Sequence, residues 1–178
     1  MKITNKHNLP LVLIDWIENS NKQRQLQVDQ GDFTVTQLLS NPKEQYLLSR
    51  NPDIEVDASQ FISVLSGEAW HAGIAANSTN RRFNGALVEK RFSIKYHGWK
   101  ITGQPDVIDG DYLMDYKEST VGRFAKGVPQ EYENQLNFYH YILSSNGKHP
   151  KFMGIWVKYK DYMPSRAGTN HYPDAAMQ

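Results

Sequence analysis

Asp106, in Gly103-Gln104-Pro105-Asp106, and Asp115 and Lys117, in Asp115-Tyr116-Lys117, have the types and spacing for metal-assisted chemistry on a phosphate. Side chains alternate along a strand, so Asp115 and Lys117 project from one face and Tyr116 from the other. If the preceding strand pairs antiparallel through the Asp109-Gly110 turn, Asp106 comes alongside Asp115, and Pro105 weakens the regular ladder there. Two carboxylates beside one lysine suit a hard divalent cation such as Mg²⁺, which takes oxygen ligands and keeps several waters. Such a cation would polarise a phosphodiester and lower the pKa of a bound water. Lys117 would orient that water or neutralise charge developing on the phosphate. The plainer alternative is an exposed Asp–Lys pair worth ~0.2–1 kcal/mol, which leaves the second carboxylate, Asp106, uncompensated.

Two helical spacings add to this set. Gly67 lies one turn before His71, leaving room for a strand or a substrate backbone to approach the imidazole, which then reaches a metal. Gln135 and Tyr139 are i and i+4 neighbours that offer an amide and a phenol to a phosphate, to the lysine or to a base edge. Each has an ordinary structural alternative: a surface or core histidine, and two half-buried residues beside Leu136 and Leu143.

Positioning these groups takes a sheet and several helices. Pro10 to Asn19 reads as a short, largely buried helix, followed by a polar stretch; Thr34 to Leu39 is a second helix and Asn41-Pro42 starts a third that runs to Arg50. Asp57 or Ser59 caps the longer helix that carries His71. Leu87–Tyr96, Trp99–Val107 and Tyr112–Lys117 read as a meander turning at His97-Gly98 and Asp109-Gly110. A Gly-flanked basic loop over Thr120–Gly127 then leads to a helix opened by Val128-Pro129 and ended by Gly147, and Phe152–Tyr159 is a last strand. The expected fold is α/β, a central mixed sheet of about four strands flanked by helices. A single domain is expected over 1–178, helical at the N-terminal end (1–80), with the sheet and its helix at 85–160 and a polar tail at 163–178.

Composition narrows the chemistry further. With 178 residues and no cysteine, disulfides, iron-sulfur clusters and cysteine catalysis are excluded. Net charge is +1, so nucleic-acid contact must rest on a local patch. The densest basic region is Arg81, Arg82, Lys90, Arg91, Lys95, Lys100, Arg123 and Lys126, and a solvated basic face is its plain alternative. Arg123 and Lys126, in the Gly-flanked loop, are the preferred substrate contacts. Neither a cleavage site nor an apolar stretch of membrane-spanning length is evident, which reads as a cytoplasmic protein without a membrane partner.

From Thr34 to Lys160 the chain resembles the PD-(D/E)XK nuclease superfamily, and within it the RecB-like, phage-type exonuclease branch. Asp106 stands for the second-motif aspartate, Asp115-Tyr116-Lys117 for the (D/E)XK motif, Gly67–His71 for the GxxxH helix, Glu89 for the acidic residue of the first strand and Gln135–Tyr139 for QxxxY. The resemblance implies a restriction-endonuclease-like core and an Mg²⁺- or Mn²⁺-dependent deoxyribonuclease without an iron-sulfur cluster. It would be an exonuclease of DNA recombination, repair or phage DNA metabolism, in a bacterial or phage-infected cytoplasm. His71, Asp106, Asp115 and the Tyr116 carbonyl would hold the metal, Lys117 would serve catalysis with Glu89, and Gln135 and Tyr139 would contribute to catalysis or contact DNA. A recombination protein or further copies of the chain would be partners beside DNA. Two alternatives remain open: a nucleic-acid-binding protein that keeps the fold without cleaving, and a hydrolase of a small phosphorylated substrate.

Overall fold

The computed structural model describes residues 2–28, 31–77 and 85–169, so Arg81, Arg82 and most of the polar tail lie outside the described residues. In chain order the elements are β1 (Lys2–Thr4), α1 (Leu11–Val28), β2 (Phe33–Thr34), α2 (Val35–Leu39), α3 (Pro42–Arg50), β3 (Glu55–Asp57), a 3-10 turn (Ala58–Phe61) and α4 (Ile62–Asn77). There follow β4 (Leu87–Val88), β5 (Phe92–Tyr96), β6 (Trp99–Gly103), β7 (Val107–Asp109), β8 (Tyr112–Ser119), α5 (Val121–Phe124), α6 (Gln130–Ser145) and β9 (Phe152–Tyr159). The architecture is mixed α/β, in two compact units: Met1–Ala76 with Ser93–Gly103, and Asn77–Phe92 with Gln104 onward.

The first unit is less helical than the sequence suggests. Beside its helices it holds a parallel pair β1–β3 and a three-stranded sheet ordered β2-β6-β5. Ile17, Ala58 and Leu65 form its core, with Ile3, Leu9, Ile14 and Phe61 against them. The first helix differs from expectation in both length and burial. It runs through the polar stretch to Val28, whose Gln, Lys and Arg residues are good helix formers, and Leu11 and Val12 are 76% and 71% exposed. Consecutive apolar residues from Leu11 to Ile14 point in every direction around a helix, so one core cannot cover them all. α2 and α3 form where expected, capped by Thr34 with a full capping box and by Asn41 ahead of Pro42. Asp57 caps the turn into α4 through the Ser59 amide at 3.1 Å, and its other oxygen accepts from the Lys6 amide at 2.7 Å. Gly31 is required where it stands, because a Cβ there would fall 2.6 Å from the Thr102 methyl and 3.1 Å from the Lys100 carbonyl.

The second unit carries the mixed four-stranded sheet, ordered β4-β7-β8-β9, antiparallel except for the parallel pair β8–β9. Leu113, Val107, Leu143 and Ile142 are fully buried in it. The helix between the parallel strands ends in a Schellman motif, with Gly147 at φ 73° and Lys148 donating to the Leu143 carbonyl at 3.0 Å. The expected meander is corrected here. Its first two strands are each broken, at Glu89–Arg91 and at Gln104–Asp106, and the pieces fall in different sheets: β4 pairs with β7 in the second unit, and the β5–β6 hairpin joins β2 in the first. Glu89 sits at φ 47°, off the strand region, and Pro105 has no N–H to offer a ladder, so both strands stop at that level. The division at 80 and 85 read from the sequence therefore does not follow the units, since 93–103 returns to the first.

Candidate functional site

Register brings the acidic residues level. Val107 pairs with Met114 on β7 and β8, so one step further Asp106 stands opposite Asp115. Val88 pairs with Val107 on β4 and β7, so Glu89 stands opposite Asp106, and its amide donates to the Asp106 carbonyl at 2.9 Å. Three carboxyl-bearing residues thus share one level of the sheet. The reason is local: the ladder ends at Pro105, and the Tyr116 amide, which would otherwise face that gap, donates to Asp106 Oδ2 at 2.6 Å. The aspartate completes the ladder with its side chain and is held against β8 by doing so.

Asp115 is 2% exposed, and Lys117 Nζ lies 2.5 Å from its Oδ2. Burying a carboxylate requires a nearby cation, and alternation along β8 supplies it two residues on. Lys117 also stands 5.4 Å over the ring of Tyr132, and Arg123 stands over the same ring at 5.3 Å. Tyr132 in turn stacks on Phe124 at 5.8 Å. From α6, Gln135 Nε2 donates to the Tyr139 hydroxyl at 2.8 Å. Burial, then the charges of Asp115 and Asp106, push the Tyr139 phenol well above its usual range against the opposing pull of Gln135 and Arg91. The α6 face is therefore within electrostatic reach of both aspartates. Arg91 donates to Gln104 Oε1 at 2.6 Å; burial pulls its guanidinium down while Tyr139 supports it.

Asp106, Asp115, Lys117, Glu89, Gln135 and Tyr139 thus all belong to the second unit, as does the backbone of Tyr116. His71 lies half-buried on α4 in the first unit, with Gly67 one turn before it; a Cβ on Gly67 would meet no atom within 4 Å among the described residues. Among the described residues no three His, Asp or Glu side chains are gathered into a metal-binding group. The donors the second unit does bring together are all oxygens, two aspartates flanking the β8 backbone, and this set fits a hard divalent cation that retains waters.

The basic loop differs from its expected form. Val121 and Phe124 are buried at i and i+3 and close a single helical turn, with the Val121 amide bound to Asp161 Oδ1 at 2.9 Å. Arg123 is ion-paired with Glu131, while Lys126 is exposed. In the sequence Arg91 is one cation among many and Tyr132 one aromatic among many. Their roles beside Tyr139 and Lys117 depend on where the break at Glu89–Arg91 and the start of α6 fall, which no motif spacing encodes.

No protein-family model matches this chain, and no curated protein matches it. Among solved structures it is similar to the crystal structure of SSO0001, with a TM-score of 0.53 and 24% identity over 72% of this chain. It spans 62% of the length of that chain, and at this identity the likeness is one of fold, a mixed arrangement of sheet and helices.

Proposed function

We propose that the protein is an Mg²⁺- or Mn²⁺-dependent DNA nuclease with a PD-(D/E)XK core. The observation that carries the reading is the pairing of Asp106 with Asp115 at one level of the sheet, with Lys117 on Asp115 and Tyr139 within electrostatic reach of both. The sheet order supports it as well: an antiparallel β4-β7-β8 run followed by a helix and a parallel β9 holds these groups on adjacent strands and one helix. Asp106, Asp115 and the Tyr116 carbonyl would hold the metal. The bound cation would supply polarisation of the phosphate and a bound water of lowered pKa.

The chain's own residues do the rest. Asp106, fixed by the Tyr116 amide, cannot swing away from β8. Lys117 carries its charge to the phosphate side of Asp115 and offsets negative charge that develops there. Tyr132 limits where that ammonium can stand. The Tyr139 hydroxyl, held protonated, is a hydrogen-bond donor toward an anion beside the aspartates.

The test is digestion of end-labelled linear single- and double-stranded DNA beside closed circles, with Mg²⁺, Mn²⁺ or EDTA. Metal-dependent degradation is expected, lost by at least ~100-fold in Asp115→Ala and in Lys117→Ala, with the circles spared by an exonuclease. Wild-type cleavage by either variant would sink the assignment. DNA retention without cleavage under any metal would make the protein a binder that keeps the fold.

A further inference from the structure

Lys117 has a counterpart across the sheet. Val107 pairs with Val88 on β4 and with Met114 on β8, and three residues further along those registers Arg91, Gln104 and Lys117 come level. The regular ladder has stopped by then, but the chains stay side by side, because Arg91 Nη2 donates to Gln104 Oε1 at 2.6 Å. Two residues back along the same registers are Glu89, Asp106 and Asp115. A row of carboxyl groups is thus followed by a row with a cation on each flank. Glu89-Lys90-Arg91 repeats on one side of β7 what Asp115-Tyr116-Lys117 makes on the other.

Arg91 also reaches the side of the sheet on which the aspartates act. Burial apart, the Tyr139 phenol on α6 feels the charges of Asp115, Asp106 and Arg91, so one hydroxyl lies within electrostatic reach of all three. These residues all belong to the second unit. Arg91 is half-buried, and burial pulls its guanidinium down. An apolar side chain would close a strand break without that desolvation cost. A guanidinium, by contrast, presents its donors in a planar fork that matches two oxygens of a phosphate, and the bond to Gln104 restricts how that fork can turn.

We propose that Arg91 binds a phosphate of the substrate strand on the β4 side of the aspartates, across from Lys117, with Gln104 as the residue that orients it. The assignment rests on the nuclease reading of the neighbouring aspartates and adds to it a phosphate contact that no motif of the sequence marks.

Two measurements on the full chain test it: anisotropy with labelled oligothymidylate in EDTA over a range of salt, and cleavage of labelled linear DNA in Mg²⁺. Arg91→Gln should lower the salt slope of binding by roughly 0.7 and slow cleavage about 100-fold. Arg91→Lys should keep the slope, since the charge remains, and recover cleavage only in part, since the fork does not. Gln104→Ala should keep the slope as well. A thermal scan shows which variants are folded, and if Arg91→Gln melts early the Lys variant still separates charge from fork. Equal losses of affinity in Arg91→Gln and Gln104→Ala with both slopes unchanged would make Arg91 a clip between broken strands and overturn the proposal. So would full cleavage by Arg91→Lys, or a wild type that retains no strand. If the wild type cuts nothing and Arg91→Gln still lowers the slope, the phosphate contact stands and the nuclease reading falls. If cleavage is lost in Asp115→Ala but neither cleavage nor slope changes in Arg91→Gln, the nuclease reading stands and this contact falls.

Discussion

A carboxylate that is 2% exposed keeps its charge when a cation stands beside it, and Asp115 has Lys117 at 2.5 Å. The same aspartate, with Asp106, acts on Tyr139, and both charges add to burial in raising the phenol. The consequence is measurable. A group held protonated well above its ordinary range cannot impose an alkaline limb on a pH–rate profile below about pH 10. Tyr139→Phe is therefore expected to lower the rate of DNA cleavage about tenfold or more, for loss of a donor, while leaving the shape of the profile between pH 6 and about pH 10 as in the wild type. An alkaline inflection that vanishes in Tyr139→Phe would show the phenol titrating and would count against its place beside two charged aspartates.

At the scale of elements, Asp57 ties distant segments of backbone together. Its carboxylate accepts from the Lys6 and Ser59 amides and the Ser59 hydroxyl, joining β1, β3 and the entry to α4, and these bonds hold it well below the usual carboxylate range. Because its folded pKa is depressed, the stability it contributes is fully present above the unfolded-state value near 4 and is lost as pH falls toward the native one. Asp57→Ala should melt lower than wild type at neutral pH, and the gap in Tm should narrow steadily below about pH 4. A gap independent of pH would assign the loss to packing instead. This cap was legible in the sequence, as were α2, α3, α6 and β9, because caps, prolines and a terminal glycine are local signals. The strands β1, β2 and β3 were not, being two or three residues long with partners far along the chain. Nor was the break at Glu89–Arg91, since a positive φ at a glutamate leaves no mark in hydrophobic alternation. For the site, Asp106, Asp115 and Lys117 were legible because alternation and one turn fix their faces. Arg91 and Tyr132 were not, because only the register and the start of α6 bring them in.

At the scale of the whole molecule, a net charge of +1 provides no general attraction for DNA, so binding must be local. No helix among the described residues is long and apolar enough to cross a membrane. The two compact units give a thermal experiment two possible transitions, and the aspartates lie in the second. A cation that binds the folded protein alone stabilises it by mass action, about 2.7 kcal/mol at a concentration a hundredfold above its Kd, or roughly 5–10 °C in Tm for a chain of this size. Mn²⁺ or Mg²⁺ is accordingly expected to raise the Tm of the wild type over its value in EDTA, and to leave Asp106→Ala and Asp115→Ala unmoved. A rise that survives in Asp115→Ala would place the cation elsewhere and remove the metal from the aspartate site.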